Sequence, residues 1–169
     1  LAKQGEGRTV KRHFSRVNGL SDDAVYVIKD GGDVIWIGTD GRGLDYYDRK
    51  SGTVRSLKMR TSTDLKSVYS IFPQNDTLWV GTSGYGMYML EIDRSTTPYS
   101  VIDVKQYSCS SLNPSLASDV IYSIVPDSDR KLWVGSRGGG LARFDIRNGT
   151  FESFRFSADD AHLVSSDDI

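Results

Sequence analysis

Cysteine and long apolar runs are both scarce in this sequence. Cys109 is the single cysteine among 169 residues, so no disulfide bond can form within the chain. This excludes a disulfide-stabilised scaffold but does not fix the compartment. No apolar run approaches the roughly 18 residues that a membrane-spanning helix requires. The first ten residues, LAKQGEGRTV, lack the apolar centre of a signal peptide and indicate a cut made inside a longer protein.

An excess of charge of either sign is also absent. The 21 Lys and Arg residues balance 22 Asp and Glu residues. This balance argues against a dedicated nucleic-acid-binding surface, because such surfaces are clearly basic. The short basic cluster within residues 11–16 is interpreted as a solvated strand edge. Hydrophobic residues make up 38% of the chain and charged residues 25%, a composition that supports a packed core.

Groups suited to catalysis or metal binding are sparse. His13 and His162 are isolated from other ligand-type residues, and no Gly-x-Ser-x-Gly motif occurs. We therefore expect no metal, no cofactor and no catalytic residue. The acidic pairs at 22–23 and 167–168 recur at the same place in a repeated pattern, which favours a turn or strand-entry role over paired catalytic carboxylates. The sequence predicts a protein that is not an enzyme.

The sequence does contain a motif that occurs three times. The pattern W-[IV]-G-[TS]-x-G-x-G-[LM] begins at Trp36, Trp79 and Trp133, with spacings of 43 and 54 residues. A period of roughly 40–50 residues is typical of propellers and solenoids. Similar apolar stretches precede the three copies: VYVI (25–28), VYSI (68–71) and IYSI (121–124). An acid that we expect to bind turn backbone stands twelve residues after each Trp: Asp48, Glu91 and Asp145.

The sequence around each copy of the motif predicts four short strands and no helix. The apolar stretches are short and rich in Val, Ile, Tyr, Phe and Trp. Runs such as VIWIG are apolar on both strand faces, as in a sheet covered on both sides. Four-stranded sheets packed face to face around an axis are the blades of a β-propeller. We therefore predict an all-β arc of about three four-stranded antiparallel blades. In the first, the expected strands lie near residues 24–29, 33–39, 43–48 and 53–58.

The Trp and Gly residues of the motif have competing interpretations. A glycine-rich loop can bind phosphate between a strand and a helix N-terminus, but here strand follows strand. The glycines are expected to supply positive φ in the turn and to let neighbouring blades approach closely. The Trp side chains are expected to lie between blades, and a surface platform for sugar is the alternative. These structural motif residues are Trp36, Gly38, Gly43, Trp79, Gly81, Gly86, Trp133, Gly135 and Gly140.

The repeat also predicts boundaries. The blades are expected at residues 18–60, 61–109 and 110–157. Residues 1–17 resemble the outer strand of a preceding blade, and residues 158–169 the lead-in to a following one. Propellers close with four to eight blades, so we expect an arc of a larger ring, with seven blades the expected total. Open apolar blade faces and an unpaired strand at 8–15 predict self-association of the isolated chain.

The units resemble the two-component regulator propeller repeat. Residues 18–48 and 117–145 follow its consensus closely, whereas the middle unit departs with Met87 for Leu, Glu91 for Asp and an insertion at 94–100. The resemblance implies the periplasmic sensor region of a hybrid two-component sensor histidine kinase of the Bacteroidetes type, an inner-membrane receptor that detects oligosaccharides from glycan breakdown. The alternatives are a propeller enzyme acting on polysaccharide, of lyase or hydrolase type, and a scaffold propeller that binds protein.

Candidate ligand-binding residues are sought where the repeat varies. Between the second and third strands the glycines stay while their neighbours change, which gives Arg42, Tyr85 and Arg137 as candidates. In propellers these turns share a face with the connections between blades. Arg offers paired donors to carboxylate, sulfate or sugar oxygens, and Tyr offers a stacking face. The competing interpretation is that all three are ordinary polar turn tips.

Overall fold

Three successive β-sheets make up the fold. The computed structural model describes residues 12–109, 116–128, 130–156 and 166–169, and within these ranges it contains strands and turns but no helix. The all-β prediction is confirmed, and the strands of the first sheet lie within a residue or two of the expected positions. That sheet consists of β1 (Val25–Asp30), β2 (Val34–Thr39), β3 (Leu44–Asp48) and β4 (Thr53–Ser56), paired antiparallel in chain order.

The other two sheets repeat this order. The second contains β6 (Val68–Gln74), β7 (Thr77–Thr82), β8 (Met87–Asp93) and β9 (Ser100–Tyr107). The third contains β10 (Ile121–Ser128), β11 (Lys131–Ser136), β12 (Gly140–Asp145) and β13 (Thr150–Phe154). In each sheet the Trp motif occupies the second strand and the turn that follows it, as predicted.

The second sheet differs from the expected four antiparallel strands by gaining a fifth. The short strand β5 (Lys58–Met59) follows β4 in sequence but pairs in parallel with β9 of the second sheet. The Lys58 N–H donates to the Tyr99 carbonyl at 2.9 Å, and the Arg60 N–H donates to the Val101 carbonyl at 3.1 Å. The chain leaving the first sheet therefore satisfies backbone groups on the otherwise open edge of β9.

The sheets pack face to face through their Trp residues. Trp36 is fully buried in a core cluster formed by the first and second sheets, and Trp79 is 1% exposed in a cluster formed by the second and third. The prediction of burial between sheets is confirmed for these two residues. Trp133 lies on the far side of the third sheet, half-buried against Phe154 and the guanidinium of Arg143. Its ring contacts among the described residues are thus within its own sheet.

In each motif one glycine lets the first strand of the next unit pack closely against the second strand. A Cβ added to Gly38 would lie 2.7 Å from Val68 Cγ1, and one added to Gly81 would lie 2.6 Å from Ile121 Cγ2. Only hydrogen fits at these positions, which confirms the close-approach role. At Gly135 the corresponding neighbour is Ile169, at 3.1 Å. Ile169 therefore stands where Val68 and Ile121 stand in the preceding units.

The chain before the first sheet covers part of its outer face. Residues 8–11 of the expected outer strand lie outside the described residues, and residues 12–20 form a turn and no strand. Phe14 packs edge-on against Tyr47 of β3, with ring centroids 5.5 Å apart. Ser21 donates from its N–H and its hydroxyl to the buried Asp45 carboxylate, at 2.7 and 2.9 Å. The outer face of the first sheet is consequently less open than we expected.

The recurring acids bind turn backbone in two of the three units. Asp48 accepts from the Lys50 N–H, and Asp145 accepts from the Arg147 N–H, each at 2.9 Å. The prediction is wrong for Glu91, which is exposed. Strand β8 continues two residues beyond Glu91, whereas β3 ends at Asp48, so that in the second unit Asp93 reaches the turn and accepts from the Ser95 N–H and hydroxyl. The hydroxyl hydrogen bond is the main reason that the pKa of Asp93 is lowered.

Candidate functional site

The turns between the second and third strands form one surface, here called the turn face (residues 40–43, 83–86 and 137–140). Each turn is anchored in the same way at its first residue. The backbone N–H groups of Asp40, Ser83 and Arg137 donate at 2.9–3.0 Å to the carbonyls of residues 24, 67 and 120, just before the first strand of their own unit. The three turns therefore lie at the same end of their sheets.

The second and third turns also bind the lead-in of the following unit through their closing glycines. The Gly86 N–H donates to the Asp119 carbonyl and the Gly140 N–H donates to the Asp167 carbonyl, both at 2.8 Å. Their positive φ values, 75° and 70°, point these N–H groups away from their own turns. This confirms the predicted left-handed role of the glycine that closes the motif. The backbone of the turn face is thus fixed by hydrogen bonds that do not use its variable side chains.

The three candidate residues do not occupy equivalent positions in their turns. Arg42 and Tyr85 both precede the closing glycine, and the third turn has Gly139 at that place. Arg137 instead shares its position with Asp40 and Ser83. Arg42 and Tyr85 therefore form one pair on the turn face, and Arg137 belongs to a second row of side chains.

Arg42 borders a shallow groove of about 710 Å³. Its side chain is 59% exposed, and its guanidinium lies 3.9 Å from the Asp22 carboxylate. A solvent-exposed ion pair at this distance contributes little stability, so the guanidinium remains available to another anion or hydroxyl. The groove is lined by Arg16, Leu20, Ser21, Gly41, Arg42, Ser56 and Asp64.

Tyr85 is held through its backbone, and its ring is 46% exposed. Its N–H donates to the Thr82 hydroxyl at 3.1 Å, and its carbonyl accepts from the Gln106 amide at 2.9 Å. A rigid backbone with an open aromatic side chain suits contact with an amphipathic ligand. Arg137 is also exposed, at the corner of the third turn.

A set of aromatic side chains that sequence reasoning did not single out lies on the first strands. Tyr26, Tyr69 and Tyr122 stand at equivalent positions, and we call them the tyrosine row. The ring centroids of Tyr26 and Tyr69 are 4.9 Å apart, and those of Tyr69 and Tyr122 are 5.7 Å apart. The signal was present in the sequence, because VYVI, VYSI and IYSI carry the same tyrosine three times.

The tyrosine row connects to the turn face at its first member. Hydrogen bonding with the neighbouring Asp40 side chain is the main cause that raises the pKa of the Tyr26 hydroxyl. Asp40 also accepts from the Ser67 hydroxyl, which in turn accepts from the Gly41 N–H at 3.2 Å. The Asp40 carboxylate is therefore held in place between the first and second units.

The part of the chain that the structure describes contains few groups suited to metal binding. There, no three His, Cys, Asp or Glu side chains come close enough together to hold a metal ion. His13 is exposed, and His162 lies outside the described ranges. Among the described residues no helix has the length and apolar character needed to cross a membrane.

Comparison with known proteins gives a family match for one unit and a fold for most of the chain. Residues 115–138 match the two-component regulator propeller family, which confirms the resemblance on the third copy of the motif. No curated protein sequence matches the chain.

Two extracellular domains from B. thetaiotaomicron are similar in structure. One belongs to a one-component system (TM-score 0.65, 21% identity, 84% of this chain and 20% of that domain). The other belongs to a hybrid two-component system (TM-score 0.65, 20% identity, 89% of this chain and 20% of that domain). At this identity the similarity shows the fold. The chain spans about a fifth of the length of these domains.

Proposed function

We propose that this chain, which contains a two-component regulator propeller repeat, is part of the extracytoplasmic sensor propeller of a hybrid two-component signalling protein. The observation that carries the proposal is the repeat itself: residues 115–138 match that family, and two further sheets carry the same motif in the same strand order. The similar domains of B. thetaiotaomicron are extracellular, which supports a periplasmic location.

The sensor role that we propose is the binding of a glycan-derived oligosaccharide at the turn face. Arg42 and Arg137 would donate to hydroxyl or carboxylate oxygens of the sugar, and Tyr85 would contact a ring. Charges of both signs occur on this surface, since Asp22 and Asp64 lie close to Arg42. A surface with both donors and acceptors suits a polyhydroxylated ligand better than a polyanion. In this account the chain binds a signal and catalyses no reaction.

A receptor assay tests the proposal. In the full-length protein, whose gene we expect to encode a membrane span and a histidine-kinase core, Arg42→Ala, Tyr85→Ala and Arg137→Ala are combined. Loss of charged hydrogen bonds should raise the glycan concentration for half-maximal signalling by at least about tenfold. The melting temperature should stay unchanged, because all three side chains are exposed.

Arg49→Ala provides the matched control. Arg49 is also a half-exposed arginine with a surface ion pair, 3.3 Å from Asp30, but it lies in the turn after β3, at the opposite end of the first sheet. Its replacement should leave the response intact. A triple variant that signals like the unaltered receptor would remove these residues from the ligand site.

We also propose that the isolated chain associates with a second copy of itself through the third sheet. In the first two sheets the face that carries the Trp residue packs against the following sheet. The equivalent face of the third sheet carries Trp133. Val125, on the same sheet, is 48% exposed. Light scattering should report a mass above that of one chain, and Trp133→Ser should lower it. A monodisperse monomer at high concentration would contradict this proposal.

A further inference from the structure

The tyrosine row is built by the same irregularity in all three sheets. The register of β1 with β2 shifts between Val25 and Val27, and equivalent shifts flank Tyr69 and Tyr122. Each tyrosine is therefore the extra residue of a β-bulge. Bulges re-aim one side chain and are common beside functional sites. Three bulges at one repeat position place three tyrosines in line.

The row lies along the inner edge of the arc. The strands β1, β6 and β10 are the first strands of their sheets; β6 contacts both of the others. Tyr26 is 49% exposed and Tyr122 is 42% exposed, while Tyr69 is half-buried because its ring lies between theirs. A continuous aromatic surface three residues long is thus open to solvent.

Polar residues of the turn face are anchored through their backbones near each tyrosine, in a fixed order. Asp40, Ser83 and Arg137 are each anchored to the carbonyl two residues before the tyrosine of their own unit. The residues anchored along the row thus carry a carboxylate at its first end, a hydroxyl in the middle and a guanidinium at its last end. Its rim can both accept and donate hydrogen bonds along the aromatic surface.

Mutual packing of the tyrosines accounts for part of this arrangement, because edge-to-face aromatic pairs are favourable. It does not account for the solvent exposure that Tyr69 keeps with a ring neighbour on each side, or for the carboxylate beside Tyr26. A purely apolar partner would bury the Asp40 and Arg137 charges without compensation. An oligosaccharide has apolar C–H faces together with hydroxyl edges that donate and accept. Its chemistry matches both parts of the surface.

We propose that Tyr26, Tyr69 and Tyr122 form a binding track for a neutral oligosaccharide, with Asp40 and Arg137 binding its hydroxyl groups at the two ends. The inference rests on the proposed sensor function and extends its ligand site from the turn face along the inner strands. It also gives Arg137 a place beside Tyr122, apart from Arg42 and Tyr85.

Nuclear magnetic resonance of the 169-residue chain tests the track, with cellohexaose, xylohexaose and arabinohexaose as separate probes. At least one probe should shift the ring signals of all three tyrosines. Its dissociation constant should rise by at least about tenfold in the Tyr26→Ala/Tyr122→Ala variant, since exposed aromatic contacts dominate such surfaces. If that variant does not fold, Tyr26→Leu/Tyr122→Leu keeps apolar bulk and removes the flat rings.

The matched control is Ile28→Ala, which removes an exposed apolar side chain from the strand that carries Tyr26 and should leave binding unchanged. A probe bound equally well by the tyrosine variant, but more weakly by Arg42→Ala, would overturn the track and leave the proposed function standing. Absence of tyrosine shifts with every probe would also overturn it. The glycan-response assay with the Arg42, Tyr85 and Arg137 variant would still test the sensor function separately.

Discussion

Replacement of Trp79 by alanine is expected to lower the free energy of unfolding by about 3–5 kcal/mol, the range for truncation of a large buried aromatic side chain. Trp79 is 1% exposed and joins the second sheet to the third. Its ring centroid lies 5.4 Å from that of Phe144 and 6.3 Å from that of Tyr107. Removal of the indole would leave a cavity between two sheets and leave the Gln74 amide oxygen without its donor.

Trp133→Ala is the internal control for this effect. Trp133 has the same place in its motif but is half-buried, with Phe154 and Arg143 as its ring partners among the described residues. Its replacement should cost clearly less than that of Trp79. Urea denaturation followed by circular dichroism gives both values. Equal losses at the two positions would refute the assignment of Trp79 to an interface between blades.

Gly86→Ala is expected to destabilise the chain by more than about 2 kcal/mol. The residue has φ of 75°, and a left-handed conformation alone costs a residue with a Cβ about 1–2 kcal/mol. The added Cβ would also collide with the backbone carbonyl oxygen of Tyr107, at the end of β9. Because that atom belongs to the backbone of a paired strand, it cannot move aside as a flexible side chain could.

Gly84→Ala separates the two causes within the same turn. Gly84 also has positive φ, at 102°, but no atom lies within 4 Å of the position where its Cβ would be. This variant should show the conformational cost alone, and Gly86→Ala should show that cost plus the collision. Thermal or urea unfolding of the pair measures the difference. Indistinguishable stabilities would mean that the turn does not sit against β9 as described.

Much of the fold was predictable because local rules agree along the repeat. The Trp motif marks the second strand and the following turn in every unit, and its glycines are needed for packing at Gly38 and Gly81 and for positive φ at Gly86. Strand β5 was not predictable from the sequence. Its pairing depends on where the connection from the first sheet meets the open edge of β9, which is a property of the assembled sheets.

The candidate site was only partly accessible from the sequence. Arg42 and Tyr85 could be named as candidates because they vary within a constant turn. The tyrosine row was missed because the same tyrosine occurs in all three units. A residue that does not vary between repeats is normally interpreted as a packing residue. What distinguishes Tyr69 from a packing residue is the β-bulge that turns it out of the sheet, and a shift of register is a relation between two strands. Glu91 was misassigned because β8 ends two residues after it, at Asp93, whereas β3 ends at Asp48.

Proton–proton nuclear Overhauser contacts of the Tyr69 ring test the central claim most directly, namely that three consecutive blades meet along their first strands. Tyr69 is in the second sheet, and its ring lies next to Tyr26 of the first and Tyr122 of the third. With tyrosine labelled selectively, Tyr69 should show contacts to both rings. Contacts to neither tyrosine in a folded chain would contradict the stacked arrangement, and with it the tyrosine row and the common turn face.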